Sequence, residues 1–120
     1  MGNDVLRTKS FAFAVRIVRL FQFLQTVKKE YVLAKQLLRC GTSVGSMIRE
    51  AEHAESKADF IHKMAVAQKG INEVLYWLEL LTSTDYLTRE QFDSISTDAI
   101  EILKMLTSTI KTAKNNLKMN

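Results

Sequence analysis

The sequence predicts an all-α chain folded as an antiparallel up-down-up-down four-helix bundle. Three observations carry that reading. The 120 residues contain no proline, so the strongest helix breaker is missing. Apolar residues recur at spacings of three and four through four successive stretches, and the interruptions between those stretches are short and polar, which makes sequential helices antiparallel neighbours. A hydrophobic content of 47% suits one compact domain over residues 1–120. No internal repeat, linker or second domain is visible.

The first helix is expected over about Lys9 to Val27. Phe13, Ala14, Ile17, Leu20, Phe21, Leu24 and Val27 fall within an arc of roughly 140° at about 100° per residue, which marks the core stripe. The rest of the surface is not cleanly polar, because Phe11, Val15, Val18 and Phe23 stand among Arg16, Arg19, Gln22 and Gln25. A solitary bundle would leave those side chains in water. They read as a subunit interface, with a basic amphipathic helix on a membrane surface as the alternative.

The second helix is expected from about Glu30 to Ala54, with Leu33, Leu37, Cys40, Val44, Met47, Ile48 and Ala51 on its core face. Gly41 and Gly45 each cost about 1 kcal/mol of helix propensity relative to alanine. Either a neighbouring helix approaches closely there or the helix breaks at Gly41. The opposite face carries Lys35, Arg39, Thr42, Ser46, Arg49 and His53, with Ser43 and Glu50 beside them. Arginines next to hydroxyls suit phosphate oxygens; the same groups also suit pairing with Asp59 or Glu73 on the next helix or on another subunit.

The third helix opens at Ser56-Lys57-Ala58-Asp59, a capping-box-like start, and runs through about Thr82. Phe60, Met64, Ala67, Ile71, Val74, Leu75, Leu78 and Leu81 form its core side. Asp59 and Lys63 make an i to i+4 pair on the flank, followed by Val66, Gly70, Glu73 and Trp77. Trp77, beside Tyr76, reads as an interface anchor or as partly buried core. The fourth helix begins near Thr88, where Gln91 can reach back to complete a cap. Its stripe is Phe92, Ile95, Ala99, Ile102, Leu103, Leu106, Ile110, Ala113 and Leu117, and its far end should gather Lys111, Lys114 and Lys118 with Arg7 and Lys9 at one pole.

The formal charge of +4 hides a segregation along the chain. From Val5 to Arg49 the balance is +8, from Glu50 to Glu101 it is −7, and the last residues return +4. Basic helices at the two ends of a chain supply a footprint for RNA or another polyanion. The single Cys40 excludes an intramolecular disulfide and reads as an inert core thiol. Arg16 and Arg19 interrupt the apolar run that a secretory signal needs, no stretch reaches the roughly 18 apolar residues of a membrane span, and Leu6 stands where a myristoylation signal wants Ser or Thr. A cytoplasmic protein without membrane insertion is expected.

Catalytic chemistry finds little footing. Glu50-Ala-Glu-His53 has the E-x-x-H spacing of di-iron bundles, but it occurs once where two copies are needed and both residues project from the polar face. Arg49 and His53 are the nearest candidates for a helical ribonuclease, yet no acid supports the histidine. No glycine-rich loop follows a strand, and there is no Ser-His-Asp or Cys-His set. No catalytic residue, metal or cofactor is expected.

Three segments, LRCGTSVGSMIREA, SKADFIHKM and EVLYWLELL, are more specific than generic heptads. Through them nearly the whole chain resembles the bacterial four helix bundle proteins first noticed as products of intervening sequences in 23S rRNA genes, and relatives that are accessory factors of diversity-generating retroelements. The resemblance implies left-handed bundles assembled into a five-fold ring or barrel with basic surfaces and no established enzymatic activity. In the retroelement relatives it implies contact with a reverse transcriptase and its RNA. It marks Arg39, Thr42, Ser43, Arg49, Glu50, Ser56, Lys57, Asp59, Phe60, Lys63, Glu73, Tyr76 and Trp77 as family-like positions.

The expectation is therefore a non-enzymatic homo-oligomer, a pentamer by resemblance, that binds RNA or an RNA-protein complex. The nucleic-acid candidates are Arg16, Arg19, Lys35, Arg39, Arg49, Lys111 and Lys114. The interface candidates are Phe11, Val15, Val18, Phe23 and Trp77. A reverse transcriptase or other protein is a further expected partner, and a protein-protein adaptor with no nucleic-acid role is the alternative.

Overall fold

Four α-helices make up the computed structural model, which describes residues 2–119: α1 (Gly2–Thr26), α2 (Val32–Ala51), α3 (Lys57–Ser83) and α4 (Arg89–Met119). No strand occurs among the described residues; Met1 and Asn120, the ends of the expected domain, lie outside them. Each helix packs on the next and α4 returns to α1, giving a rod of 52 × 21 × 20 Å. Contacts along the α1–α2 seam step down α2 as they step up α1: Arg7 meets Glu52, Ser10 lies against Gly45, and Ile17 lies against Gly41. Lys9 with Glu101 and Arg16 with Asp98 show the same opposed order between α1 and α4.

The core is the set of apolar stripes that meet along the rod axis. Phe13, Ile17 and Leu24 from α1, Leu37, Val44 and Ile48 from α2, Ile71, Val74 and Leu78 from α3, and Ala99, Ile102 and Leu106 from α4 are all buried. Leu33, Met47, Phe60, Leu75, Phe92 and Leu103 pack half-buried around them. Two expected core residues are corrected. Val27 is 63% exposed because α1 has already ended, and Leu117 is exposed because the buried stripe of α4 stops at Ile110.

Helix α1 starts at Gly2, seven residues before the expected Lys9. The reason is Leu6, which is fully buried and stands two turns ahead of Phe13 on the same stripe; Asp4, Arg7 and Thr8 around it mask the period. Asp4 also sits in the first turn, where the helix dipole favours a negative charge. At the other end, the Glu30 N–H donates to the Leu24 carbonyl in the long-range pattern that closes many helices, and Lys29 takes φ 56°, a left-handed turn residue.

Helix α2 begins at Val32, because Glu30 lies outside the helix as a cap. Its carboxylate accepts from the Val32 N–H at 3.2 Å and the Ala34 N–H at 2.8 Å, satisfying donors that have no intrahelical partner. The helix ends at Ala51, three residues before the expected Ala54. Glu52, His53 and Ala54 donate three residues back, to Arg49, Glu50 and Ala51, so the chain tightens and leaves the helix. His53 therefore lies on the turn beyond the helix.

The two caps read from the sequence form. Ser56 Oγ accepts from the Asp59 N–H, and the Asp59 carboxylate reaches back to the Glu55 N–H. Thr88 and Gln91 exchange reciprocal hydrogen bonds at the start of α4, the capping-box arrangement.

Close approach, not a helix break, accounts for Gly41. A Cβ there would stand 2.8 Å from both Cγ atoms of the buried Ile17. The adjoining Gly70 of α3 fits the same way, with Val44 Cγ2 at 3.2 Å from the missing carbon. Gly45 differs, since its nearest neighbour would be the Ser10 carbonyl oxygen at 3.5 Å, an ordinary contact. Gly41→Ala should therefore lower stability by about 1–3 kcal/mol, because Ile17 has no space to retreat into. Gly45→Ala should raise it by up to about 1 kcal/mol through helix propensity. Urea denaturation of the two variants measures both, and equal effects would contradict the packing described.

Candidate functional site

The outer surface of α1 carries its unpartnered apolar residues in one line. Phe11, Val15 and Val18, at i, i+4 and i+7, are 57%, 38% and 37% exposed. Ala14, Arg19 and Gln22 complete a shallow groove with them. A second depression continues from Phe11 across the seam to Thr42, Gly45, Ser46 and Arg49 of α2. The Arg49 guanidinium lies 5.4 Å from the centre of the Phe11 ring, a cation–π distance that holds the arginine over the aromatic face. The seam is thus an apolar stripe edged by positive charge and hydroxyls.

The other two interface candidates lie elsewhere. Phe23 is half-buried on the side of α1 that faces α4, where it shares a groove with Arg16, Leu20, Gln91 and Ile95. Trp77 is half-buried on α3, packed edge-on against Tyr76 with ring centres 5.1 Å apart. Tyr76 is the more exposed of that pair, at 60%. The spacing Glu73-x-x-Tyr76-x-x-Glu79, which places all three on one helical face, is the signal that would have singled it out in the sequence.

The seven cationic candidates separate into three groups. Arg16 is fastened to α4: one terminal nitrogen donates to Asp98 Oδ2 at 2.6 Å and to the Ser94 carbonyl, and the other donates to Ser94 Oγ at 2.8 Å. Arg19, Lys35, Arg39 and Arg49 lie on the exposed side of α1 and α2. Arg39 donates to Gln36 Oε1 on its own helix, Arg49 covers Phe11, and Arg19 and Lys35 have no ion-pair partner among the described residues. Lys111 and Lys114 stand exposed on α4 beyond the last buried residue, also without an ion pair there.

The expected basic pole is weaker than the charge count implies. Arg7 pairs with Glu52 at 3.6 Å and Lys9 with Glu101 at 3.0 Å, which leaves Lys111, Lys114 and Lys118 as its members without an ion pair among the described residues. Intrachain neutralisation of the α2 stripe does not occur by the expected route. Asp59 is held by Lys63, whose amine donates to both carboxylate oxygens at 2.7 and 2.8 Å. That bond and the Glu55 N–H hold the Asp59 carboxyl below its usual range, and the same contact raises the Lys63 ammonium.

Glu50 and His53 line a shallow depression with Ser46, Arg49 and Lys63. Both are exposed, and His53 sits on the turn after α2. Among the described residues no cluster of three His, Cys, Asp or Glu side chains is placed to hold a metal ion. No helix among the described residues is long and apolar enough to cross a membrane.

These features define an all-α four-helix protein whose distinguishing surface is a basic, aromatic seam rather than a cleft. The chain belongs to the 23S rRNA-intervening sequence protein family, whose model matches residues 4–108. It is also similar to the crystal structure of a protein of unknown function from the S23 ribosomal protein family of Bacteroides thetaiotaomicron VPI-5482. The identity is 56%, with 92% of this chain and 99% of that chain covered and a TM-score of 0.91. No curated protein matches the chain.

Cys40, inside the first resembling segment, is a buried thiol that donates to the Leu37 carbonyl. Burial, reinforced by the negative charge of Glu73, pushes it up to about 11. At pH 8 only roughly one thiol in a thousand is then ionised. A disulfide reagent at that pH should modify the native protein only slowly and the guanidinium-unfolded protein at once. Rapid labelling of the native chain would contradict the burial of this residue.

Proposed function

We propose that this protein is a non-enzymatic, homo-oligomeric cytoplasmic scaffold that holds RNA or an RNA-protein complex on cations outside its copy-to-copy contacts. The subunit is an up-down-up-down bundle, a reading supported by the opposed order of contacts along the α1–α2 and α1–α4 seams. The observation that carries the ligand is that four of the exposed cations without an ion pair among the described residues stand two by two: Lys35 and Arg39 on the outer face of α2, and Lys111 and Lys114 on α4. Arg16 has no part in it, because its guanidinium is held by Asp98 and Ser94 of α4. Membership of a family named for 23S rRNA intervening sequences points the same way.

Oligomerisation supplies what a single chain lacks. Four free cations make a weak site alone, but a ring presents the set repeatedly to one polyanion and raises avidity without new contacts. The five-fold ring that the resemblance implies would serve that end. The retroelement relatives extend the partner class to a reverse transcriptase with its RNA. A second reading, a protein-protein adaptor without nucleic acid, is favoured by the exposed aromatics Phe11 and Tyr76.

Fluorescence anisotropy with a structured RNA separates the two. Affinity should fall at least about tenfold between roughly 50 and 200 mM salt, as counterion release requires. Lys111→Ala with Lys114→Ala, and Lys35→Ala with Arg39→Ala, should each weaken binding while leaving the assembled mass unchanged. No binding at the lower salt would remove RNA and leave the adaptor.

A further inference from the structure

We infer that the depression where α2 ends and α3 begins reads a base: an unpaired guanine of a bound RNA, taken on its Watson–Crick edge by Glu50. The inference rests on the RNA reading above and deepens it by naming the base and the side chain that selects it. Ser46, Arg49 and Glu50 on the outer face of α2, His53 on the turn after them and Lys63 of α3 line this depression. Glu50 has no ion-pair partner among the described residues, although two cations line the same surface.

Both cations are held by other groups. The Arg49 guanidinium lies 5.4 Å from the centre of the Phe11 ring, and the Lys63 amine donates to both oxygens of Asp59 at 2.7 and 2.8 Å. The Asp59 bond raises the Lys63 ammonium most, and the nearby charge of Glu50 adds to it. Glu50 is thus close enough to be felt, yet its oxygens stay open. The result is a carboxylate that can only accept, set among side chains that donate.

That mixture suits neither a metal ion nor a bare phosphate. No three His, Cys, Asp or Glu side chains among the described residues are placed to hold a metal, and a phosphate would meet Glu50 as a like charge. A nucleobase edge carries donors and acceptors side by side. Guanine alone of the four RNA bases sets two N–H donors next to each other on its Watson–Crick edge, at N1 and N2, and they match the two oxygens of one carboxylate. Its O6, beside N1, takes a donor from Arg49 or Ser46. The exposed His53 ring offers a face on which the base can stack.

The depression also lies in the path of the cations assigned to the RNA backbone. Arg39 and Glu50 are eleven residues apart, so they return to the same face of α2 about 16 Å from one another. A strand whose phosphates lie on Lys35 and Arg39 therefore runs on to Glu50, with position set by the first pair and sequence read at the second place.

Fluorescence anisotropy with single-stranded RNA tests this. Three uridine strands differ at one central position, which is guanine, inosine or adenine; inosine keeps O6 and the N1–H and lacks the N2 amine. The guanine strand should bind at least about fivefold tighter than the other two, and the preference should vanish when the guanine is paired in a hairpin stem. Glu50→Gln should erase the preference without weakening the adenine strand, since it removes a negative charge. Glu55→Gln, which removes an acid outside the lining, should keep the preference.

Equal affinity for the guanine and inosine strands, or a preference that survives Glu50→Gln, would overturn the base reading and leave the RNA scaffold standing. Failure of every single strand to bind at roughly 50 mM salt, with the structured RNA still bound, would overturn it too. Loss of both kinds of RNA would take the scaffold's nucleic-acid role with it.

Discussion

The distance between α1 and α2 is set by an absent carbon. With no Cβ at Gly41, Ile17 sinks against the α2 backbone, and the two helices come close enough for Arg49 to lie over Phe11 and for Ser10 to lie against Gly45. A side chain at position 41 would open this seam, and the surface that distinguishes the protein would open with it. Gly70 performs the matching task on the opposite side of α2, where Val44 fills the space. The second helix is thus gripped between two neighbours at nearly the same level, with its thiol-bearing face inside and its basic face outside. A glycine cost of about 1 kcal/mol in each helix is offset by tighter packing of branched side chains.

Charge is arranged as deliberately as packing. The cations on the α4 side of α1 are absorbed by carboxylates of α4, and Arg16 additionally satisfies a carbonyl and a hydroxyl of Ser94. On the other side Arg7 meets Glu52 just past α2, and Arg19 has no ion-pair partner among the described residues. A single helix is therefore tied to α4 along one edge and leaves Phe11, Val15 and Val18 exposed along the other. Because exposed ion pairs add little to stability, the value of the α1–α4 pairs lies in fixing which side of α1 faces outward.

The helices themselves were legible in the sequence wherever a regular stripe met a polar cap. Ser56 with Asp59, and Thr88 with Gln91, are local devices that need no tertiary information, and α3 and α4 start where those devices place them. The start of α1 was hidden because Leu6 is a lone apolar residue among polar ones, and its burial comes from the rest of the bundle. Glu30 looked like helix and proved to be its cap, because a glutamate whose side chain folds back onto the first amides reads the same as one inside. Surface roles were harder. Phe11 and Phe23 carry the same chemistry twelve residues apart, yet they face different neighbours, and only the direction of α4 tells them apart. Arg16 was similarly indistinguishable from Arg19 until Asp98 came across from the far end of the chain.

The last turns of α4 run on beyond Ile110 with little of their surface covered. Side chains there answer to no packing partner in the bundle, so lysines can be gained, lost or moved along that stretch without the fold registering the change. The buried stripe and the exposed lysines thus occupy separate parts of one helix. Such a layout lets the charge of this end change while the interior stays as it is.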